Sequence, residues 1–150
     1  MVRFRDGHAM IPAEVGFMEL NTYLHFDGTC DEAMTFYADI LGGTIVSRLR
    51  FREMEDHSMV PEDRLDMVAN MQLKIGDRTL MASDGMQPPK GGHSGYSLQL
   101  NLADLDEARR IFDALTRDGS QMMPFGPTFW ARGFGMGSDR FGVDWMVNCD

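Results

Sequence analysis

An internal duplication is the feature that most limits what this chain of 150 residues can fold into. Two amphipathic stretches have helical spacing, and one sequence offset superposes Phe36 of the first on Phe112 of the second. The same offset superposes Gly43, which follows the first stretch, on Gly119, which follows the second. It also superposes the alternating segment around Leu24 on a later segment of the same pattern. Two halves of the chain therefore repeat one structural plan.

Both predicted helices begin at a capping box, in which the N-cap side chain and a glutamate three residues later bond to each other's backbone. Thr29 is followed at this spacing by Glu32, and Asp104 by Glu107. Strands are predicted, in chain order, at about residues 19–27, 44–52, 67–76, 78–84, 95–103, 120–127, 129–136 and 141–149.

The predicted fold class is α+β, with two βαβββ modules forming curved mixed sheets around a cavity. Module 1 spans about residues 18–86 and module 2 about 95–149, and a linker rich in glycine and proline joins them. Residues 18–150 are predicted to form a single domain. Residues 1–17 follow no periodic pattern and are predicted to be an N-terminal arm or extension.

One face of each predicted sheet is polar. The leucines of the strand at 95–103 are needed beneath the second helix, so the residues between them face the opposite, concave side. These residues are Ser97, Gln99 and Asn101, and the repeat adds Asn21, Tyr23 and His25. Because a polar concave face is poor core material, it predicts a pocket.

The C-terminal quarter contains both tryptophans within a block rich in aromatic residues and glycine. Asp139–Gly142 is predicted to be a turn that closes a hairpin within this block. The predicted ligand surface is Phe129, Trp130, Phe134 and Trp145, with Met146 nearby and Arg132 as an anion anchor. Two alternatives stay open: the block is plain core, or Trp145 alone faces the helix, in phase with Val143 and Val147.

Charge and composition exclude several partners. The net charge of −9 argues against nucleic acid or an anionic membrane. No apolar run approaches the length needed to cross a bilayer, and the first residues lack the apolar stretch of a signal peptide. Two cysteines make neither a disulfide framework nor a metal cluster. A cytoplasmic protein with a small-molecule ligand is therefore expected.

Few residues suggest catalysis. His25 is the one imidazole predicted to face the cavity, although a strand histidine is more often structural. His57 and His93 lie in predicted loops, and no two histidines are spaced as a ligand pair. Cys30 lies in a first helical turn, where the helix dipole lowers a thiol pKa, but a buried small residue is the favoured interpretation. The glycines of residues 133–137 lack the strand and helix that flank a phosphate loop.

Several segments of the chain resemble the sequence motifs of a known group of proteins. The segments Tyr23–Gly28, Phe36-Tyr37 with Leu41–Gly43, Ser83-Asp84 and the C-terminal block resemble the PhnB-like branch of the vicinal oxygen chelate superfamily. That superfamily includes glyoxalase I and the bleomycin- and fosfomycin-resistance proteins. Members of the branch are often described as 3-demethylubiquinone methyltransferase-like, without an agreed reaction. The resemblance covers about residues 18–149 and implies a homodimer with pockets near the subunit interface.

The superfamily resemblance also implies a metal bound by the first and last strands of each module. The corresponding positions are Asn21 or Thr22, Met81, Ser97 and Met146. Thioether sulfur is a poor ligand for Mg²⁺, Mn²⁺ or Fe²⁺. The usual metal site is therefore expected to be absent, with no cofactor, and binding through residues such as His25 and Asp144 is the alternative.

Two functions follow, and whether the protein is an enzyme stays open. The first is a PhnB-like protein of unknown reaction that binds a small molecule, without metal, in an aromatic and methionine-lined cavity. The alternative is a glyoxalase-superfamily enzyme, of lyase or dioxygenase type, acting on a small oxygenated substrate. In that enzyme His25 is the base, assisted by Asp144 or Glu53. A structural or regulatory dimer without a ligand is a lesser possibility.

Overall fold

A computed structural model describes residues 18–87 and 89–150, so the predicted arm at residues 1–17 lies outside the described residues. The first module contains β1 (Thr22–Phe26), α1 (Cys30–Leu41), β2 (Thr44–Arg50), β3 (Val68–Ile75) and β4 (Arg78–Asp84). The second contains β5 (Leu98–Leu102), α2 (Leu105–Thr116), β6 (Ser120–Gly126), β7 (Gly133–Ser138) and β8 (Asp144–Cys149). The predicted α+β fold of two βαβββ modules is confirmed.

Each module forms its own four-stranded mixed sheet, and the two sheets have equivalent strand orders. The orders are β1-β4-β3-β2 and β5-β8-β7-β6. The first and last strands of each module pair in parallel, and the other pairs are antiparallel. Strands β2 and β6 both pair with register shifts. The duplication seen in the sequence is therefore also a duplication of strand topology.

The two helices cover the apolar faces of the sheets and form one core with them. Trp145 and Val147 of β8, and Val143 just before this strand, are fully or almost fully buried, so Trp145 faces the helix side in phase with the two valines. Of the two positions left open for Trp145, the structure has the buried one. No helix among the described residues is long and apolar enough to span a membrane.

The N-terminus of α1 is capped differently from the predicted capping box. The Thr29 side chain makes no cap hydrogen bond. The buried Asp84 carboxylate, at the end of β4, instead accepts from the backbone N–H groups of Gly28 at 2.7 Å and Cys30 at 3.1 Å. Glu32 pairs with Arg140 at 3.0 Å. The box prediction for α1 was wrong: neither of its side chains bonds back to the helix start, and a carboxylate distant in sequence binds neighbouring N–H groups instead.

The N-terminus of α2 keeps half of its predicted capping box. The Asp104 carboxylate accepts from the backbone N–H of Glu107 at 2.8 Å. The Glu107 carboxylate turns away and pairs with Arg110 at 2.6 Å. The N-cap residue was therefore correctly predicted, whereas the return bond was not.

Strand β7 begins four residues later than predicted, because the chain turns at Thr128–Ala131. The backbone N–H of Thr128 donates to the Ala131 carbonyl at 3.0 Å. The Thr128 hydroxyl accepts from the N–H of Ala131 at 3.1 Å. Two of the predicted strand aromatics, Phe129 and Trp130, therefore lie in a turn. The predicted turn at Asp139–Gly142 is present, with Gly142 at a φ of 87°.

The glycines of β7 face α2 and its neighbours. A Cβ at Gly135 would lie 2.9 Å from the Phe112 ring, and one at Gly137 would lie 2.5 Å from the Ser120 carbonyl oxygen. A Cβ at Gly133 would collide with the Phe125 ring. These three residues form a glycine stripe that lets the sheet approach the helix closely. This packing role explains the glycines that only superficially resemble a phosphate loop.

Asp139 joins the two modules at a buried position. Its carboxylate accepts from the Tyr37 hydroxyl of α1 at 2.6 Å and from the Trp145 indole N–H at 2.9 Å. It also accepts from the backbone N–H groups of Phe141 and Val143 within its own turn. The turn that closes the β7–β8 hairpin is thereby bonded to the first module's helix.

Candidate functional site

The polar face of the second sheet combines amide side chains with apolar ones. Gln99 of β5 lies opposite Met146 of β8 in the ladder, and Asn101 lies opposite Asn148. On the other side of β8, Phe134 of β7 lies opposite Asn148. These side chains point away from α2, because the residues alternating with them pack beneath it. We call Gln99, Asn101, Phe134, Met136, Met146 and Asn148 the amide face.

Hydrogen bonds connect the three amides of this face. The Asn101 carbonyl oxygen accepts from Gln99 Nε2 at 3.2 Å and from Asn148 Nδ2 at 3.3 Å. Asn148 Nδ2 also donates to the Asp150 carboxylate at 2.8 Å. Asn148 is 7% exposed, and its Oδ1 is buried without a hydrogen-bond partner among the described residues. An acceptor without a donor is unusual inside a folded protein.

Aromatic rings border the amide face. The Phe129 side chain is 98% exposed, and Trp130 is 49% exposed. Their ring centroids lie 4.7 Å apart, and Trp130 lies 5.3 Å from Phe134 in an edge-to-face arrangement. Phe134 itself is buried. The turn at Thr128–Ala131 therefore presents two exposed rings next to a buried one.

A cavity of about 630 Å³ opens at the β5 side of the amide face. Gln99 and Asn101 form one wall. The opposite wall consists of residues 18–22 and of residues 77–79 in the β3–β4 hairpin. Two predicted ligand-binding residues therefore line a space large enough for a small molecule.

On the first module's polar face, Tyr23 and His25 lie side by side along β1. Their ring centroids are 5.1 Å apart. The Tyr23 hydroxyl lies 3.4 Å from Asn70 Nδ2, and Met81 and Ser83 are the ladder partners of Tyr23 and His25. Both side chains are exposed on the polar side of the sheet, as their spacing predicts.

His93, in the linker between the modules, lies beside His25. The two histidines, Tyr23 and Tyr96 line a common cavity of about 230 Å³. His93 stacks near Phe26 with a centroid separation of 5.1 Å, and its Nδ1 lies 2.6 Å from the Tyr96 hydroxyl. Sequence reasoning missed this neighbour because only the path of the linker brings it back to β1.

Burial in this histidine cavity disfavours the charged forms of His93 and Tyr96. Burial lowers the pKa of His93, opposed by the carboxylates of Asp139 and Asp144. Burial also raises the pKa of Tyr96, and Asp144 raises it further. The Tyr96 hydroxyl donates to His93 Nδ1 when the imidazole proton is on Nε2, and it accepts from Nδ1 in the other tautomer.

The other two predicted catalytic carboxylates lie in different places. Asp144 begins β8 and accepts a hydrogen bond from the Ser138 hydroxyl. Glu53 lies in a single turn after β2, where its carboxylate accepts from the Arg50 backbone N–H at 2.7 Å. Neither carboxylate hydrogen-bonds to His25 in the described part of the chain. A base role for His25 with either partner stays a prediction.

Two further predicted positions have mainly structural contacts. The Arg132 guanidinium donates to the carbonyl oxygens of Asp150 and Ala103. Its predicted role as an anion anchor stays a prediction. Burial raises the pKa of the Cys30 thiol, as does the nearby Asp84 carboxylate. The buried-residue interpretation of Cys30 thus describes it better than an activated thiol.

The side chains at the superfamily's metal positions do not fit a hard divalent ion. Met81 and Met146 contribute thioether sulfur where carboxylate or imidazole is needed. Over residues 18–87 and 89–150, no three His, Cys, Asp or Glu side chains are grouped closely enough to bind a metal. His25 and Asp144 therefore lack a third ligand of these types in that range.

Comparison with known proteins gives a family and close relatives. A family profile described as 3-demethylubiquinone-9 3-methyltransferase matches residues 18–148. Protein YjdN of Escherichia coli K12 is 33% identical, and the match covers 87% of this chain and 95% of YjdN.

Solved structures agree with this match. Protein PA1353 of Pseudomonas aeruginosa is 44% identical, with a TM-score of 0.82 over 89% of this chain and 98% of that one. A putative 3-demethylubiquinone-9 3-methyltransferase, PhnB protein, of Bacillus cereus is 24% identical, with a TM-score of 0.77 over 89% and 100%. The fosfomycin resistance protein FosX of Listeria monocytogenes shares the fold at 7% identity, with a TM-score of 0.61 over 91% and 95%.

Proposed function

This chain belongs to the 3-demethylubiquinone-9 3-methyltransferase family, the PhnB-like branch of the vicinal oxygen chelate superfamily, and we propose that it binds a small molecule without a metal. The proposed site is the amide face together with the Trp130 ring. The observation that carries this proposal is the buried, unpartnered Asn148 Oδ1 within a network of amides.

The composition of the site supports binding more than chemistry. Amides and thioethers supply hydrogen bonds and adaptable apolar contacts, but neither is a nucleophile or an acid–base group near neutral pH. An aromatic border favours a planar ligand. A small planar molecule with oxygen substituents fits these side chains best.

The family's description suggests a probe but gives weak support for methyl transfer. The description names a demethylated ubiquinone, whose ring is planar and oxygenated. The usual methyl-donor site is a parallel sheet with helices on both faces. Both sheets described here are mixed and have four strands. We therefore propose binding of such a ring rather than its methylation.

Fluorescence titration with 2,3-dimethoxy-5-methyl-1,4-benzoquinone tests the proposal. Trp130 is half exposed beside the site, whereas Trp145 is 2% exposed in the core, so bound quinone should quench mainly Trp130. Saturable quenching is expected in the wild type and should be lost in Trp130→Phe, while calorimetry still detects binding. If calorimetry finds no saturable binding of the quinone or of its hydroquinone to the wild type, the proposed function fails.

An enzyme remains the second candidate, and the shared cavity of His25, His93 and Tyr96 favours it. In this alternative His25 is a base acting on a small oxygenated substrate, and a metal binds through non-standard ligands. Stoichiometric uptake of Mn²⁺ or Zn²⁺ with thermal stabilisation would support the enzyme. If a His25→Ala variant bound the quinone with full affinity, the role of His25 at the ligand would lose its support.

We further propose a cytoplasmic homodimer. The edge strands β2 and β6 expose Val46, Leu49, Met122 and Met123, and exposed apolar edges favour pairing with a second copy. Cys30 and Cys149 are buried free thiols, as is common in a reducing compartment. Light scattering coupled to size-exclusion chromatography should give twice the chain mass of 16.9 kDa. A mass of one chain at micromolar concentration would contradict the dimer.

A further inference from the structure

The orientation of Asn148 is determined by its two neighbours. Its Nδ2 donates to the amide oxygen of Asn101 and to the carboxylate of Asp150. Turning the amide over would direct its oxygen at both acceptors, which is unfavourable. The carbonyl oxygen is therefore held in the remaining direction, where it has no donor among the described residues.

The surroundings of this oxygen disfavour an anion. The Asp150 carboxylate lies 2.8 Å from Asn148 Nδ2, and Asp144 lies on the same strand and on the same face. Arg132, which precedes β7, directs its guanidinium at the carbonyl oxygens of Ala103 and Asp150. A ligand that reaches Asn148 Oδ1 should therefore supply a hydrogen-bond donor without a negative charge.

The neighbouring residues favour an aromatic ring beside this donor. Phe134 lies directly across the ladder from Asn148 on the same face, and Trp130 packs against Phe134. Side chains that lie opposite each other on one face of a ladder are in contact distance. Asn148 Oδ1 is closed from solvent, so a ligand would have to displace a covering side chain to reach it.

We propose that the ligand of the amide face is a neutral aromatic molecule with a hydroxyl or N–H group, which donates to Asn148 Oδ1. This inference rests on the proposed function and adds the polarity and charge of the ligand. It favours a phenol or quinol over a quinone, an aryl ether or an aryl carboxylate.

Calorimetry with three neutral probes tests the inference under anaerobic conditions. The probes are 2,3-dimethoxy-5-methylhydroquinone, which has two donors, its dimethyl ether, which has none, and the corresponding quinone. The hydroquinone should bind wild-type protein about tenfold more tightly than the dimethyl ether, as expected for one hydrogen bond to a buried acceptor. 2,5-Dihydroxybenzoate, a hydroquinone with a carboxylate, should bind more weakly than the neutral hydroquinone.

Two variants assign the preference to Asn148. Asn148→Leu should remove the preference for the hydroquinone, because leucine has a similar volume and no acceptor. Asn70→Leu is the matched control, since Asn70 contacts Tyr23 on the first module's face, and it should keep the preference. Asn148→Ala, which also has no acceptor, tests the same loss if the leucine variant does not fold, which circular dichroism will show.

The outcomes separate the inference from the proposed function. If none of the neutral probes binds, the proposed function fails and the inference fails with it. If hydroquinone and dimethyl ether bind equally, the proposed function stands and the inference is overturned. Unchanged preference in the Asn148 variants would also overturn it, because a resident water or another group would then be the ligand's partner.

Discussion

At the scale of single residues, Asp139 has the largest set of buried hydrogen bonds in the described part of the chain. Its carboxylate accepts from Tyr37, Trp145 and two backbone N–H groups. Asp139→Asn places an amide donor against some of these donors and should lower the free energy of unfolding by about 2–4 kcal/mol. Urea denaturation measures this loss. Asp144→Asn, at a half-buried position bonded to Ser138, is the control and should cost less than about 1 kcal/mol.

Two buried acids predict a loss of stability at alkaline pH. Burial raises the pKa values of Cys30 and Tyr37 in the folded protein. Unfolded cysteine and tyrosine ionise near about pH 8.5 and 10. Their stabilisation is complete below those values, and it is lost as pH rises through them toward the folded values. The free energy of unfolding, measured with urea under reducing conditions, should therefore fall above about pH 8.5. Cys30→Ala should flatten this decline between pH 8.5 and 10, and an unchanged slope would contradict the assignment.

The residues of the candidate site were partly predictable. The alternation of apolar and polar residues correctly predicted that Gln99 and Asn101 face away from the second helix. It also predicted that Tyr23 and His25 lie on the exposed, polar side of the first sheet. Nothing local indicated Asn148 or His93. Asn148 becomes notable through bonds to side chains on another strand, and His93 through the path of the linker. Both depend on contacts that a period-two pattern does not contain.

At the scale of elements, the helix N-termini give a matched comparison. Asp104→Ala should cost about 1 kcal/mol, because this side chain caps α2. Thr29→Ala should cost less than about 0.5 kcal/mol, because the Thr29 side chain makes no cap bond. Asp84→Asn should cost at least about 2 kcal/mol, since its carboxylate also accepts from the Val68 N–H. Thermal and urea unfolding check the order, and a larger loss for Thr29 than for Asp84 would contradict it.

The spacing of apolar residues predicted which segments form helices and strands, whereas the residues at which those elements begin and end depend on turns. The start of β7 was displaced because the Thr128 hydroxyl bonds to the chain ahead of it and closes a turn. A turn closed by a side-chain hydrogen bond can replace a strand without any change in the pattern of apolar residues. The aromatic residues of that turn are consequently exposed, which the alternation alone did not predict.

At the scale of the whole molecule, the duplication correctly predicted two equivalent modules but not how they are joined. The joint includes the Tyr37–Asp139 bond, the Glu32–Arg140 ion pair and a hydrogen bond from Arg110 of α2 to the Ile40 carbonyl of α1, at 3.0 Å. The Tyr37–Asp139 and Arg110–Ile40 contacts connect positions that lie 102 and 70 residues apart in sequence, respectively. Sequence spacing carries no information on such pairs.

Because the modules share one core, they should unfold as one unit. Both tryptophans lie in the second module, so fluorescence reports that module alone, whereas far-ultraviolet circular dichroism reports both helices. The two signals should give coincident urea transitions. Tyr37→Phe should shift both together to lower urea, with a loss of about 1 kcal/mol. Separate transitions would contradict the shared core.

The glycine stripe on β7 has a consequence for how this protein tolerates change. Three positions in a strand of six leave no room for a methyl group, and they alternate with residues on the amide face. A saturation scan of β7 should therefore divide by parity: every substitution at Gly133, Gly135 and Gly137 lowers the yield of folded protein. Substitutions at Phe134 and Met136 should instead change what the protein binds. In this one strand, alternate residues therefore determine either whether the protein folds or which ligand it binds.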